Sequence, residues 1–165
     1  MAVEAGIKVT TFFSPDDDTQ NVFLSFIQGA KSHLRIAIYG MHLPPLIADL
    51  ISLHDKGVDV ALVIDHTQAR GTYERPEVEQ LLTAGIPLLE GTSEKHHIMH
   101  HKFAVRDKTD VLSGSWNFSE SASLESNYFD VIESPQRAAM FLSKWQEMWD
   151  WIQTHEENEQ EALVK

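Results

Sequence analysis

The chain has 165 residues, 42% of them hydrophobic and 23% charged, enough apolar material for one packed domain of ordinary size. Thirteen Lys and Arg against twenty-five Asp and Glu leave a formal charge of −12. That balance speaks against a basic groove tracking a long duplex, because phosphate contacts dominate non-specific nucleic-acid affinity, yet it is compatible with a small cationic site. Cysteine is absent, which excludes disulfides, thiolate metal sites and a cysteine nucleophile.

The opening Met1-Ala2-Val3-Glu4-Ala5-Gly6 lacks the basic and apolar regions of a signal peptide. No apolar run approaches the roughly 20 residues that span a bilayer, so a cytoplasmic location without membrane attachment is expected.

In chain order, residues 7–13 read as a strand rich in β-branched and aromatic side chains. Asp16-Asp17-Asp18 reads as a solvated run capping a helix in which Val22, Phe23, Phe26, Ile27 and Ala30 recur at helical spacing. Residues 34–39 form a second predicted strand, ended by Gly40. Leu46, Ile47, Leu50 and Ile51 line one face of the next helix, closed by His54-Asp55-Lys56-Gly57. Residues 58–64 are an almost wholly apolar strand ending at Asp65, as in a sheet covered on both faces. A polar loop over 66–75 leads through Pro76 into a short helix around 78–82. Residues 86–89 form another strand, which Pro87 assigns to a sheet edge.

The second half is richer in strands, with segments near 99–106, 110–115 and 127–132. Ser134-Pro135 then opens a last helix as cap and first turn. Its stripe of Phe141, Leu142, Trp145, Met148, Trp149 and Ile152 reads as core packing, with Trp151 off the stripe. The alternation predicts one layered α/β domain over residues 1–155 with right-handed crossovers, followed by an acidic, fraying tail at 156–165.

The chemistry concentrates in His100-His101-Lys102-Phe103-Ala104-Val105-Arg106-Asp107, followed after six residues by Gly114-Ser115-Trp116-Asn117. The pattern is His-x-Lys-x4-Asp-x6-Gly-Ser-x-Asn. With six fixed residues at about 5% frequency each, its chance occurrence in this chain is on the order of a few in a million. His54-Asp55-Lys56 is an internal control: it repeats His-x-Lys, but Ala61 stands where the aspartate belongs and no Gly-Ser-x-Asn follows.

On a strand, His100 and Lys102 point one way, while His101, Phe103 and Val105 point the other, toward a core. If 111–117 pairs with that strand, Ser115 and Asn117 share a face too, and imidazole, ammonium, hydroxyl and amide converge. Gly114 admits a substrate or another backbone closely. Such a set suits a phosphodiester: the lysine pairs a phosphoryl oxygen, Ser and Asn add neutral donors, and a neutral imidazole attacks phosphorus.

Residues 98–117 resemble the signature of the phospholipase D superfamily, and the rest of the chain is similar in size and element order to its small single-motif bacterial nuclease branch. The resemblance implies a three-layer α/β/α sandwich with a mixed central sheet, and metal-independent phosphodiester transfer through a phosphohistidine. It implies that His100 is nucleophile or general acid, that Lys102, Ser115 and Asn117 bind the phosphoryl group, and that Asp107 is supporting structure. The chemistry needs two imidazoles and the chain has one full motif, so a two-fold homodimer with the site on its axis follows, each subunit giving His100, Lys102 and Asn117. That branch carries a downstream glutamate orienting the histidine, expected at 127–129. Here Asn127, Tyr128 and Phe129 occupy those positions, leaving Glu125, Asn127 and Asp130 as alternative orienting groups.

His96, His97, His100 and His101 have an i, i+4 relation, but a loop entering a strand is no helical metal face, and neither metal nor cofactor is expected. Arg70 and Arg75, in the loop after Asp65, are candidate phosphate ligands by position, since loops after strands often line sites, but a solvated loop is the stronger reading. The leading functional expectation is a metal-independent nuclease acting on short or single-stranded DNA or RNA, with Lys95, Lys102, Arg106 and Lys108 as local positive charge. The alternatives are a phospholipid phosphodiesterase, disfavoured by the lack of a basic amphipathic helix, and a non-catalytic binding or assembly module.

Overall fold

Alternating apolar side chains on the central strands build two cores, one on each face of a seven-stranded sheet. The structure is a computed structural model that describes residues 6–155; the predicted acidic tail lies outside the described residues. Its elements run β1 (Lys8–Ser14), α1 (Thr19–Gln28), β2 (His33–Ile38), β3 (Met41–His42), α2 (Pro44–Asp55), β4 (Asp59–Asp65) and α3 (His66–Ala69). They continue with α4 (Arg75–Thr83), β5 (Leu88–Gly91), β6 (Lys102–Arg106), β7 (Asp110–Gly114), β8 (Phe118–Ser119), a 3-10 turn at Ser121–Ser123, β9 (Asn127–Glu133) and α5 (Pro135–His155).

The main sheet has the order β1-β9-β7-β6-β2-β4-β5, with β3 and β8 forming a small parallel pair outside it. β2, β4 and β5 are parallel, whereas β6, β7, β9 and β1 each run antiparallel to their neighbours. β5 is the edge strand, as Pro87 requires.

Leu34, Ile36 and Ile38 of β2 and Leu62 and Ile64 of β4 face a core closed by Phe23 and Ile27 of α1, Leu46 and Leu50 of α2 and Val78 of α4. Ala37, Ala61, Val63, Phe103 and Val105 face the opposite core, closed by Trp145 and Ile152 of α5. This period of two delivers the expected three layers, helices covering both faces of a mixed sheet. The Trp145 Nε1–H donates to the Ile36 carbonyl at 2.8 Å, pinning α5 to the sheet centre. Trp151, off the predicted stripe, is half-buried and packs against this second core.

Three local expectations change. The aspartate run does not cap α1 by side chain: Asp17 Oδ2 instead accepts from the Phe13 amide of β1 at 2.8 Å, and Asp18 Oδ2 from the Asn21 side-chain Nδ2 at 2.6 Å. Residues 66–75 are not all loop, because Asp65 Oδ2 accepts from the amides of Thr67 (3.1 Å) and Gln68 (3.2 Å) and so nucleates α3. β7 ends at Gly114, short of the predicted pairing through 117. Among the described residues, no helix is long and apolar enough to cross a membrane.

Asp107 and Lys108 both have positive φ, 53° and 60°, in the three-residue connection that joins β6 to β7. The Asp107 carboxylate accepts from the amides of Lys31 (3.1 Å), Ser32 (2.8 Å) and His33 (3.1 Å), tying this hairpin to the α1–β2 connection. Partial burial alone raises the carboxyl, but these amides outweigh it and hold it below the usual aspartate value. The resulting stability is present above the unfolded-state pKa and disappears as pH falls through the lower folded value. Asp107→Ala is therefore expected to lower the unfolding free energy by about 1–3 kcal/mol at neutral pH. In urea titrations across pH, the gap from wild type narrows in the acid range.

Candidate active site

At the carboxyl ends of β2 and β4 the sheet changes from parallel to antiparallel, where β6 enters beside β2. Lys102 pairs with Ile38, and the Tyr39 amide donates to the His101 carbonyl at 2.9 Å, extending the ladder one step past β6. Asp65 Oδ1 accepts from the Met99 amide at 2.8 Å, so the carboxylate that caps α3 also fixes the backbone one residue before His100.

His100 lies just ahead of β6 rather than in it, but the expected pairing with Lys102 forms. Lys102 Nζ is 3.0 Å from His100 Nε2 and donates to the His100 carbonyl at 2.9 Å. An ammonium only donates, so with Lys102 charged the acceptor in this contact is the Nε2 lone pair. Lys102 is only 8% exposed, and burial pushes its ammonium below the usual lysine value. The Tyr39 ring completes the group, 4.6 Å edge-on from the imidazole and 5.3 Å beneath Lys102 Nζ. Its hydroxyl accepts from Gln68 Nε2 at 3.2 Å. Sequence reasoning did not single out Tyr39, Gln68 or Asp65 for the site. Their signal is positional, since they sit at or just past the carboxyl ends of adjacent parallel strands.

Trp116 anchors the Gly114-Ser115-Trp116-Asn117 turn. It is 1% exposed and packs on Phe23 (5.1 Å) and Phe129 (5.7 Å), which leaves Ser115 and Asn117 on its two flanks. Ser115 and Trp116 both donate their amides to the Tyr128 carbonyl, at 3.0 and 3.3 Å, so two residues oppose one and regular pairing stops. The backbone that Gly114 admits is that of β9: a Cβ there falls 2.3 Å from the Tyr128 oxygen. Asn117 Oδ1 accepts from the Gly40 amide at 3.2 Å, which seats its amide beside Tyr39 and turns the Nδ2 donors away from that bond.

Ser115 is placed differently. Its hydroxyl donates to Asn127 Oδ1 at 3.0 Å and accepts from the Tyr128 amide at 3.2 Å, while Ser113 and Gly114 line the cleft beside His100 and Lys102. The bulge shifts the register, so the shared face expected from strict alternation through residue 117 is not formed by strand pairing. Asp107 sits at the other end of β6, about 17 Å from the rim by strand rise, where it serves the hairpin.

Asn127 is the candidate orienting residue nearest the motif, but it holds Ser115, with Nδ2 donating to the Ala122 carbonyl and Glu125 Oε1 at 3.3 Å each. Asp130 accepts from Thr11 Oγ1 on β1. Among the described residues, His100 meets Lys102 and Tyr39 rather than any of these three. Arg70 and Arg75 are not a solvated pair: Arg70 lies 2.7 Å and Arg75 3.8 Å from Glu90, a carboxylate only 3% exposed. The neighbouring histidines diverge, His96 packing on Trp151 and His101 on Phe103.

Residues 23–149 match the family described as cardiolipin synthase, PLD-like domain. The chain is 29% identical over 129 residues to the mitochondrial cardiolipin hydrolase of Chlamydomonas reinhardtii, a match covering 78% of this chain and 56% of that protein. It is 27% identical over 139 residues to a phospholipase D of Rickettsia bellii, covering 84% and 67%. The chain therefore spans little more than half the length of the algal relative. Among solved structures, the phospholipase D family member Nuc of Salmonella typhimurium superposes with a TM-score of 0.81 at 30% identity, covering 88% of this chain and 95% of that one. NucT from Helicobacter pylori gives 0.76 at 21% identity, covering 88% and 97%, a likeness of fold.

Because Asp65 holds both α3 and the Met99 amide, Asp65→Ala is expected to cost about 2–3 kcal/mol of stability. Hydrogen exchange at the Met99 and Gln68 amides should accelerate together, whereas a substitution that only unravels α3 leaves Met99 protected.

Proposed function

The chain belongs to the PLD-like domain family of the phospholipase D superfamily, and from that premise we propose that it is a metal-independent phosphodiesterase cleaving nucleic acid through a phosphohistidine. The contact between His100 Nε2 and Lys102 Nζ at 3.0 Å carries the reading. It provides a neutral nucleophilic nitrogen and a desolvated cation side by side, the two things an attack on an anionic diester requires.

In the proposed reaction a non-bridging phosphoryl oxygen takes the Lys102 ammonium as partner, with Asn117 and Ser115 donating to the phosphoryl group. His100 Nε2 bonds to phosphorus as the P–O bond to the leaving group breaks. The departing oxygen takes a proton from the imidazolium of a second copy of the chain. That imidazole then removes a proton from water, the water oxygen bonds to phosphorus, and the P–N bond breaks to restore His100. The attacking ring is oriented by Lys102 and Tyr39, and Asn127 acts through Ser115. Two copies meeting on a two-fold axis supply both imidazoles.

Nucleic acid is favoured because the chain matches Nuc over nearly that protein's whole length and fold. A phospholipid substrate is the second reading, favoured by relatives named cardiolipin hydrolase and phospholipase D.

Cleavage of single-stranded DNA or RNA is expected to persist in EDTA and to fall by about 10³-fold or more in His100→Ala, since the covalent route is lost. Vesicles of anionic phospholipid form the parallel substrate arm; hydrolysis of vesicles alone selects the second reading, and cleavage of neither by the wild type indicates a non-catalytic module. The pH–rate profile should be bell-shaped, one imidazole starting neutral and its mate protonated. Lys102 loses charge as pH rises through its lowered pKa, so substrate affinity should fail below the alkaline pH typical of lysine, and Lys102→Met should remove that limb. Equilibrium sedimentation should give a dimer; an active strict monomer contradicts the two-imidazole scheme.

A further inference from the structure

Beside His100 and Lys102 a cleft of about 410 Å³ opens toward α5. The chemistry just described needs room for a phosphoryl group at the rim, but it does not account for this additional space. The volume lies within the range of small-molecule sites, which are roughly 300–1,000 Å³. Phe103 and Phe141 wall the cleft, packed edge to face at 5.0 Å and 89°. Met140 lines it too, and its side chain remains 56% exposed. Among the walls stand two polar side chains, His101 and Ser113, and Lys144 of α5 reaches the cleft with its side chain 52% exposed.

We propose that this cleft receives the nucleobase adjoining the scissile phosphate of a single strand, with Lys144 pairing the next phosphate along. The proposal rests on the phosphodiesterase reading and names the substrate feature that reading leaves open. Aromatic and thioether walls suit the flat faces of a base, and stacking of this kind tolerates every sequence. Burial of the His101 ring, together with the charges of Lys144 and Lys102 beside it, holds it below the usual histidine value. The neutral ring offers one donor and one acceptor, which match a base edge and find no partner in an acyl chain. Among the described residues Lys144 pairs with Glu147 at 3.5 Å across an exposed helix surface, a weak pair that a phosphate readily displaces.

A base held in this way cannot remain stacked and paired, so the cleft selects single-stranded or locally opened substrate. The charge of −12 acts in the same direction, since it leaves little general attraction for an intact duplex.

The test uses end-labelled single-stranded oligonucleotides, one unmodified and one with a single abasic residue, cut by the wild type and by the surface variants Met140→Trp and Lys144→Glu. Scission at the diester flanking the abasic residue is expected to fall about tenfold relative to the same position in the unmodified strand, the loss of one stacking contact. Both variants should raise KM on the unmodified strand by about five- to tenfold with kcat within twofold, and Lys144→Glu should lower the salt slope of binding by about one. Uniform cleavage through the abasic residue, with KM unchanged in both variants, overturns the proposal. So does a loss confined to phospholipid vesicles, which assigns the cleft to lipid. Failure of the wild type to cut the unmodified strand overturns the parent reading and the cleft assignment together. Lys144 lies on the exposed face of α5, so its variant tests the proposal even if Met140→Trp folds poorly.

Discussion

A lysine ammonium buried against an imidazole is the constraint around which the rest of this molecule is organised. Burying a charge is costly unless it is paired and hydrogen-bonded. Lys102 meets that requirement with the His100 ring, the His100 carbonyl and the face of Tyr39. None of the three contacts carries a negative charge. The cation is thus stabilised enough to stay in place yet keeps its full attraction for an anion, and desolvation strengthens that attraction.

The scaffold serves this contact through strand order. Placing antiparallel β6 beside parallel β2 brings the start of one strand to the end of the other, which puts Lys102 opposite Ile38 and Tyr39 against His101. Asp65 closes the arrangement from β4 by holding the Met99 amide, so the backbone on both sides of His100 is pinned by neighbouring strands. Trp116, sunk among Phe23, Phe118 and Phe129, does the same for the turn carrying Asn117. Rigid elements thereby position a site whose reactive groups stand at the solvent rim.

Residues that look equivalent on paper have separate duties in space. Asp107 belongs to the motif but works as a hairpin clamp at the far end of β6. Arg70 and Arg75, plausible phosphate ligands by their position after a strand, converge instead on Glu90 because that buried carboxylate needs compensation. Asn127 stands where the family pattern expects a carboxylate and takes Ser115 as its partner. An amide at that position leaves the Lys102–His100 pair as the main electrostatic contact of the ring.

The local periodicities of this chain determined the layers. The almost wholly apolar run at 58–64 marked a strand covered on both faces, 34–39 marked another strand, Pro87 marked the edge, and Ser134-Pro135 marked the start of α5. The spacing of His100 and Lys102 was enough to set an imidazole beside an ammonium, whereas the bulge after Gly114 turned Ser115 onto Asn127 and broke the alternation expected through Asn117. What lay beyond sequence reach was every contact between segments distant along the chain: Tyr39 under the imidazole, Asp65 on the Met99 amide, the paired amides of Ser115 and Trp116 on Tyr128, and the cleft between β6 and α5. Propensity and periodicity act within a dozen residues, whereas these contacts follow from strand order and register, which are settled only when two faces of the sheet bury their cores together.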